Sequence, residues 1–177
     1  MTNRGYKNIE DLKLEISMPP EKYVTEEIFN KILRYCAYQE RSEHEVAYKL
    51  KKYRIGTREA GRMIKRLKDE RFIDDKRYAL IFASGKLRNN KWGRIKIRYA
   101  LGKKNIHESN IITALNAIDE QEYSSILVAL IRSKLKTMKE EDPFILRNKL
   151  AKYLISKGFE YELVWEQLNA EISGRAF

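Results

Sequence analysis

The amino-acid sequence predicts an all-α protein that consists of three tandem three-helix repeats. Glycine and proline account for only 8 and 3 of the 177 residues, and this scarcity of helix-breaking residues favours helices over a fold with many turns. From Thr25 onward, apolar residues recur at the spacing of an amphipathic helix. The same apolar pattern then returns twice, after a further 51 and 53 residues, which is typical of a repeat protein.

The first repeat is predicted over residues 25–73. The segment "TEEIFNKILRYCAYQ" gives its first helix, with the apolar side chains on one face. The second helix, in "SEHEVAYKLKKYRIG", opens with Ser42 and Glu45 at the spacing of a capping box, in which each side chain can accept the other residue's free backbone N–H. The segment "TREAGRMIKRLKDERF" gives the third helix. Before this repeat, residues 1–24 are predicted as a mostly irregular arm, in which the alternating "LKLEI" is compatible with a short strand.

The second and third repeats are predicted over residues 74–118 and 119–177. They follow from pairs of apolar residues that occupy equivalent positions in the second helix of each repeat: Val46 and Leu50, Ile97 and Leu101, and Leu150 and Leu154. Apolar pairs in the third helices repeat in the same way. The first helices align less clearly, so the repeat pattern depends on the second and third helix of each set.

Acidic residues stand at the predicted junctions between helices. Asp74 and Asp75 lie in "RFIDDKRYA" between the first two repeats, Asp119 begins the third, and Asp142 precedes a later helix. An aspartate at a helix N-terminus accepts backbone N–H bonds and opposes the positive end of the helix dipole, a stabilisation of ~1 kcal/mol. We therefore predict that Asp74 and Asp75 cap helices and do not form a catalytic or metal-binding pair.

The sequence offers little that could support catalysis. His44 and His107 each lie in the first turn of a predicted helix, and neither has a partner at metal-ligand spacing. There is no glycine-rich phosphate-binding loop, no serine-centred nucleophile motif and no cluster of cysteine and histidine. The single cysteine, Cys36, excludes an internal disulfide and is expected to be a buried apolar residue. We predict a non-enzymatic protein with no cofactor and no metal.

The positive charge is concentrated in the middle of the chain. The formal net charge is +11, yet residues 41–104 carry 21 Lys/Arg against 7 Asp/Glu, so the flanking segments together are slightly acidic. A basic middle indicates a polyanionic partner such as nucleic acid or a nucleoprotein, although a solvated basic face that only aids solubility would have the same composition. The longest aliphatic run, "ILVALI", is too short to span a bilayer, and the N-terminus has no apolar segment of signal-peptide length. A soluble cytoplasmic protein without a membrane partner is expected.

The most informative segment is "KLRNNKWGRIKIRYALGKK", residues 86–104. Residues 91–104 are predicted as one helix, whose core sector contains Gly93, Ile97, Ala100 and Leu101. Beside it lies a basic ridge of Lys91, Arg94 and Arg98. Opposite the core lies a second apolar stripe, flanked by Lys96 and Lys103, that consists of Trp92, Ile95 and Tyr99. This stripe either packs on a neighbouring repeat or meets another macromolecule through aromatic and cationic side chains, which are typical of interface hot spots.

A second basic feature lies on the third helix of the first repeat. At spacings of three and four residues, it forms a continuous edge of Arg58, Arg62, Lys65 and Arg66. A predicted loop before "KW" adds two further cations, Lys86 and Arg88. Such an edge suits phosphate groups, and the lack of asparagine or glutamine placed to contact bases predicts little sequence specificity.

Three segments, "RFIDDKRYA", "GRIKIRYALGKKNI" and "RSEHEVAYKLKKYRI", resemble the RecX family, bacterial regulators of the RecA recombinase. The resemblance extends over residues 25–172 and is weaker in the third repeat. It implies tandem three-helix repeats in an elongated, curved, all-α molecule. It also implies docking into the groove of RecA filaments on single-stranded DNA. Such docking would suppress ATP hydrolysis, strand exchange and the stimulated repressor cleavage of the SOS response, and some direct DNA binding is implied as well.

The resemblance carries over to only a few positions of the second repeat, and the basic and aromatic patterns described above supply the other expected roles. The positions expected to be structural are Asp74, Asp75, Tyr78, Ala79, Gly93 and Leu101. Gly93 is expected to mark a tight contact, because glycine costs a helix roughly 1 kcal/mol relative to alanine. The candidates for contact with the recombinase or DNA, of which Arg77, Arg94 and Arg98 are foremost, are Arg58, Arg62, Lys65, Arg66, Arg77, Arg88, Lys91, Trp92, Arg94, Lys96 and Arg98.

Two other functions fit the same residues. Basic three-helix units resemble helix-turn-helix domains, so the chain could be a nucleic-acid-binding module with no recombinase partner. It could also be a helical-repeat scaffold for an acidic protein. For the regulator, the expected partners are a RecA-type filament and single-stranded DNA, with double-stranded DNA as a further candidate, and a monomer is expected.

Overall fold

The computed structural model describes residues 20–138 and 142–173, and within these ranges all regular structure is α-helical. The all-α prediction is therefore confirmed. In chain order, the described helices are α1 Pro20–Tyr38, α2 Glu43–Lys52, α3 Thr57–Asp69, α4 Asp75–Asn90, α5 Arg94–Gly102, α6 Glu108–Asn116, α7 Glu120–Thr137, α8 Pro143–Ser156 and α9 Tyr161–Ser173. None of these helices is both long and apolar enough to cross a membrane.

The first helix begins earlier than the sequence predicts. It starts at Pro20 and not at Thr25, so residues 20–24 of the predicted arm are helical. Proline suits the first position of a helix, because its fixed φ is already helical and the missing N–H would have had no partner there. The rest of the predicted arm, including "LKLEI", lies outside the described residues.

The helices divide into two compact units. Among the described residues, the first unit contains residues 20–40 and 45–73, and the second unit contains residues 41–44, 74–138 and 142–173. The core of the first unit consists of Phe29, Ile32, Cys36, Val46, Leu50, Met63, Leu67 and Ile73. Cys36 is buried there, with 6% of its surface exposed, as expected. In the second unit, α4 to α9 share one continuous core, so the predicted boundary between residues 118 and 119 stays a prediction.

The backbone repeats in the turn that follows the second helix of each repeat. One residue in each turn has a left-handed φ, of 58°, 56° and 89° respectively: Arg54, Asn105 and Gly158. The next residue then donates its N–H, at 3.3 Å, to the carbonyl of a leucine five positions earlier: Ile55 to Leu50, Ile106 to Leu101, and Phe159 to Leu154. In these turns, carbonyl groups at the ends of α2, α5 and α8 accept hydrogen bonds in the same way. The tandem repetition predicted from apolar spacing therefore extends to the main chain.

The aspartates at the junctions cap helices, as predicted. Asp74 accepts the N–H of Arg77 at 3.0 Å, Asp119 accepts that of Glu122 at 2.7 Å, and Asp142 accepts the first N–H groups of α8. Asp75 caps a different helix from its neighbour. Its Oδ1 atom accepts the N–H of Glu43, the first residue of α2, at 2.9 Å. The adjacent pair therefore stabilises two helix N-termini.

The predicted helix over residues 91–104 is wrong at its start. Helix α4 continues to Asn90, so Lys86 and Arg88 lie in this helix and not in the predicted loop. Its C-cap is Lys91, which has a φ of 54°. Gly93 is extended, and α5 begins only at Arg94. The reason is tertiary: the N–H of Gly93 donates to Lys157 O at 2.9 Å, and the N–H of Ile95 donates to Gly158 O at 3.1 Å. These bonds satisfy N–H groups that a continuing helix would have used.

Gly93 marks a close backbone contact, as expected. A Cβ atom at this position would lie 2.1 Å from Gly158 O, and one at Gly158 would lie 2.3 Å from the Cβ of Lys96. Both distances are far below van der Waals contact. The two glycines therefore let the turn before α5 meet the turn after α8 through their main chains.

Replacing Gly93 with alanine tests this contact. We expect Gly93→Ala to lower the free energy of unfolding by ~1–3 kcal/mol or more, because the methyl group overlaps backbone that cannot move aside. Gly85→Ala is the matched control, since Gly85 lies inside α4 and an added Cβ there meets nothing within 4 Å. That variant should be neutral or more stable by up to ~1 kcal/mol. Urea unfolding followed by far-UV circular dichroism measures both, and equal stability of Gly93→Ala and the unmodified protein would contradict the assignment.

Candidate nucleic-acid and partner interface

The predicted basic edge of the first unit lies on α3, and acids accompany it. Its four cations, Arg58, Arg62, Lys65 and Arg66, are all exposed. Three of them form ion pairs: Arg62 with Glu59, Lys65 with Asp69, and Arg66 with both Glu26 and Glu70. The hydrogen bonds that Arg66 donates to Glu26 and Glu70 raise its pKa. The edge is thus largely neutralised by neighbouring carboxylates, although exposed pairs of this kind are worth ~1 kcal/mol or less and can exchange for phosphate.

The second unit has a cationic cluster that is organised differently. We call Lys86, Trp92, Lys96 and Lys157 the Trp92 cluster. The Nζ atoms of Lys86 and Lys96 each lie 5.1 Å from the Trp92 ring centroid. Lys96 also donates to Ser156 O at 3.2 Å, and Lys157 donates to Asn90 O at 3.4 Å. Within the described residues, none of the three lysines forms an ion pair with a carboxylate.

The fold builds the Trp92 cluster from three separate elements. Lys86 lies near the end of α4, Lys96 lies in the first turn of α5, and Lys157 follows α8. Trp92 lies in the turn between α4 and α5 and packs, half-buried, against the core. A partly exposed indole beside lysines that have no acidic partner among the described residues can accept a stacked ring and adjacent phosphates. The arrangement therefore suits a nucleic-acid strand.

Arg94, one of the foremost candidates, has a mainly internal environment. Only 20% of its side chain is exposed, and its guanidinium lies 2.6 Å from Glu120, 3.7 Å from Glu160 and 4.1 Å from the ring centroid of Tyr123. Its backbone N–H donates to the Tyr123 hydroxyl at 3.0 Å, and that hydroxyl donates to Glu160 at 2.6 Å. Burial, followed by the hydrogen bond to Glu160, raises the pKa of Tyr123, so the phenol stays protonated and remains a donor.

The other predicted cations of the second unit do not form one ridge. Arg88 makes a two-point pair with Glu122 at 2.7 and 2.9 Å, which raises the pKa of Arg88 and lowers that of Glu122. Arg98 pairs with Glu108 at 2.9 Å on the exposed side of α5. Lys91 lies outside α5 and donates to the carbonyl of Arg88, and half-buried Arg77 lies in the first turn of α4. The ridge of Lys91, Arg94 and Arg98 is therefore wrong, because Lys91 does not share their helix.

The second apolar stripe of α5 divides into two parts. Trp92 packs on the core, whereas Ile95 and Tyr99 are 55% and 63% exposed. Within the described part of the second unit, Ile95 and Tyr99 therefore do not pack on the third repeat. The expected structural residues Tyr78, Ala79 and Leu101 are buried, as predicted. Sequence reasoning missed Lys157, because only the contact with the turn before α5 brings its Nζ atom to the carbonyl of Asn90.

Protein-family models match the chain in three consecutive segments. They are described as the first, second and third three-helix domains of RecX, and they match residues 29–67, 74–115 and 120–168. The chain belongs to the RecX family. The resemblance noted from the three sequence segments is confirmed.

Individual RecX proteins show the same relationship. The regulatory protein RecX of Clostridium tetani (strain Massachusetts / E88) is 32% identical over 139 residues, which are 77% of this chain and 63% of that protein. The regulatory protein RecX of Clostridium botulinum (strain Eklund 17B / Type B) is 33% identical over 109 residues, 60% of this chain and 50% of that protein. The chain therefore spans less than two thirds of the length of these relatives.

The fold is also similar to solved RecX structures. The crystal structure of RecX from Lactobacillus salivarius has a TM-score of 0.76 at 25% identity and covers 85% of this chain and 97% of that one. A crystal structure of regulatory protein RecX has a TM-score of 0.74 at 20% identity, covers 99% of this chain and 83% of that one, and supports the fold alone.

Reversing the charge of Arg94 separates its structural contacts from surface charge. We expect Arg94→Glu to lower the free energy of unfolding by roughly 3 kcal/mol, because it removes a partly buried pair and places a third carboxylate beside Glu120 and Glu160. Arg98→Glu makes the same charge change on the exposed side of α5, where the side chain is 53% exposed, and should cost about 1 kcal/mol or less. Urea unfolding compares the two, and equal losses would show that Arg94 is not held as described.

Proposed function

We propose that this protein is a non-enzymatic regulator of a RecA-type recombinase in DNA repair and recombination. It binds the filament that the recombinase forms on single-stranded DNA and inhibits ATP hydrolysis, strand exchange and coprotease activity. It acts as a monomer in the cytoplasm, within the SOS response. The observation that carries this proposal is the match to all three RecX domains in chain order.

The Trp92 cluster supports the nucleic-acid part of the proposal. Its three lysines contact aromatic rings and backbone carbonyls, so a phosphate can pair with them without displacing a carboxylate. Each phosphate contact releases counterions from the DNA. Removing one contacting cation should therefore reduce the salt slope of single-strand binding by about 0.7. Partial burial of Lys86, Trp92 and Lys96 limits their rotamers and reduces the entropy lost on binding.

A nucleic-acid-binding module with no recombinase partner is the second candidate, because the Trp92 cluster alone could retain a strand. The two functions differ in the amount of protein needed for an effect. A filament regulator acts when it is much scarcer than the recombinase, since one bound copy alters its neighbours in the filament. A plain binder competes for DNA only when it is abundant enough to coat the strand.

Recombinase ATPase on single-stranded DNA distinguishes these functions. We expect inhibition at ratios of protein to recombinase well below one, with much of it persisting as salt is raised because protein contacts add to phosphate contacts. Inhibition that begins only when the protein can coat the DNA would favour the plain binder. The absence of inhibition at every ratio would contradict the regulator.

Neutralising two lysines tests the Trp92 cluster itself. We expect Lys86→Gln with Lys96→Gln to weaken single-strand binding and ATPase inhibition, and to reduce the salt slope of binding by about 1.4. The matched control is Lys136→Gln with Lys152→Gln, which removes the same charge from exposed positions on α7 and α8. Fluorescence anisotropy of a labelled oligonucleotide across a salt series measures the slope. Equal slopes for the two double variants would show that the cluster does not contact phosphate.

A further inference from the structure

An exposed tyrosine with a lysine one turn later occurs on the second helix of the first two repeats. Tyr48 of α2 is 59% exposed, and the Nζ atom of Lys52 lies 4.7 Å from its ring centroid. Tyr99 of α5 is 63% exposed, and the Nζ atom of Lys103 lies 4.7 Å from its ring centroid. Tyr99 lies 51 residues after Tyr48, and Lys103 lies 51 residues after Lys52.

The backbone frame around the two pairs is also equivalent. Tyr48 lies between the buried core residues Val46 and Leu50, and Tyr99 lies in the same way between Ile97 and Leu101. Both helices end in a left-handed turn with the same main-chain hydrogen bonds. The two rings are thus presented alike, each by a rigid helix anchored in its own core.

The third repeat lacks this pair. At the corresponding positions, 53 residues after Tyr99 and Lys103, stand Lys152 and Ser156 of α8. An exposed aromatic ring is not required at this position by the fold, because the repeat forms without one. At both equivalent positions the exposed tyrosine ring has a π-face on which a base can stack.

We infer that each tyrosine–lysine pair stacks one base of a nucleic-acid single strand and pairs with a neighbouring phosphate. This inference rests on the proposed function and assigns its DNA contacts. Every base has a π-face that can stack on a tyrosine ring, and a flexible lysine beside the ring can turn to the phosphate. An apolar groove of a partner protein would fit the pair less well, because binding there would remove water from the ammonium group of the lysine.

The surrounding charge favours the same occupant and ranks the two sites. The last turn of α2 carries Lys49, Lys51 and Lys52. On α5, Lys96 lies three residues before Tyr99 and extends the site toward the Trp92 cluster. In the first repeat, the position equivalent to Lys96 is Glu45, whose negative charge repels phosphate. The Tyr99 site should therefore bind the strand more strongly than the Tyr48 site.

Fluorescence anisotropy with labelled oligothymidylate, in the absence of recombinase, tests the inference. We expect Tyr99→Leu to weaken binding by roughly five- to a hundredfold and Tyr48→Leu by less, because leucine keeps apolar surface but provides no π-face. Tyr48→Phe and Tyr99→Phe should bind like the unmodified protein. Lys52→Gln and Lys103→Gln should each reduce the salt slope by about 0.7, whereas the leucine variants leave the slope unchanged.

Tyr161→Leu is the matched control. Tyr161 begins α9 in the third repeat and is 58% exposed, and within the described residues its ring contacts Trp165 and no lysine. Its replacement should leave oligothymidylate affinity unchanged. Far-UV circular dichroism establishes that each variant retains its helices.

Three results would overturn the inference. They are unchanged affinity of the Tyr48→Leu/Tyr99→Leu double variant, equal losses in the phenylalanine and leucine variants, and loss of recombinase inhibition without loss of oligothymidylate affinity. The last result would assign the tyrosines to a protein contact. ATPase inhibition by the unmodified protein decides the proposed function independently, so either conclusion can fail while the other stands.

Discussion

The main-chain contact between Gly93 and Gly158 fixes much of the surface that the second unit presents. Because neither glycine carries a Cβ atom, the turns before α5 and after α8 approach each other closely. Gly93 and Ile95 can then donate their N–H groups to carbonyls of the turn after α8. Helix α5 therefore begins at a defined residue, and Trp92 packs on the core beside it. In the Trp92 cluster, Lys86 and Lys96 lie over the Trp92 ring, and this contact brings Lys157 to the carbonyl of Asn90.

Neighbouring cations of the second unit differ in how freely they can bind phosphate, because their surroundings differ. Arg94 lies among two carboxylates and the Tyr123 ring, and Arg88 has a two-point pair with Glu122. Lysines of the Trp92 cluster contact rings and carbonyl oxygens, and they form no ion pair with a carboxylate in the part of the chain that the structure describes. The pairing of each cation, more than the net charge of the segment, decides which side chains can bind phosphate.

Much of the fold could be predicted because the signals for it are local. Helical spacing predicted most of the helices, and an aspartate before a helix predicted the caps at Asp74, Asp119 and Asp142. The prediction failed over residues 91–93, where Lys91 ends α4 with a left-handed φ and Gly93 donates its N–H to Lys157 O, far away along the chain. The candidate site was predicted in part: Trp92 and Lys96 do come together, but Lys157 carries no local signal for its position.

The sequence by itself determined the helices, the tandem repeat and the equivalent placement of Tyr48 and Tyr99, because each follows from spacing along one helix or from one fixed offset. Only the tertiary structure decided where α5 starts and which cations of the second unit are paired with acids of other helices. Both depend on atoms that folding brings together across a long sequence separation, such as Gly93 with Gly158 or Arg94 with Glu160. Periodicity describes the face of a helix, but it contains no information about the partner that the face or the helix end will meet.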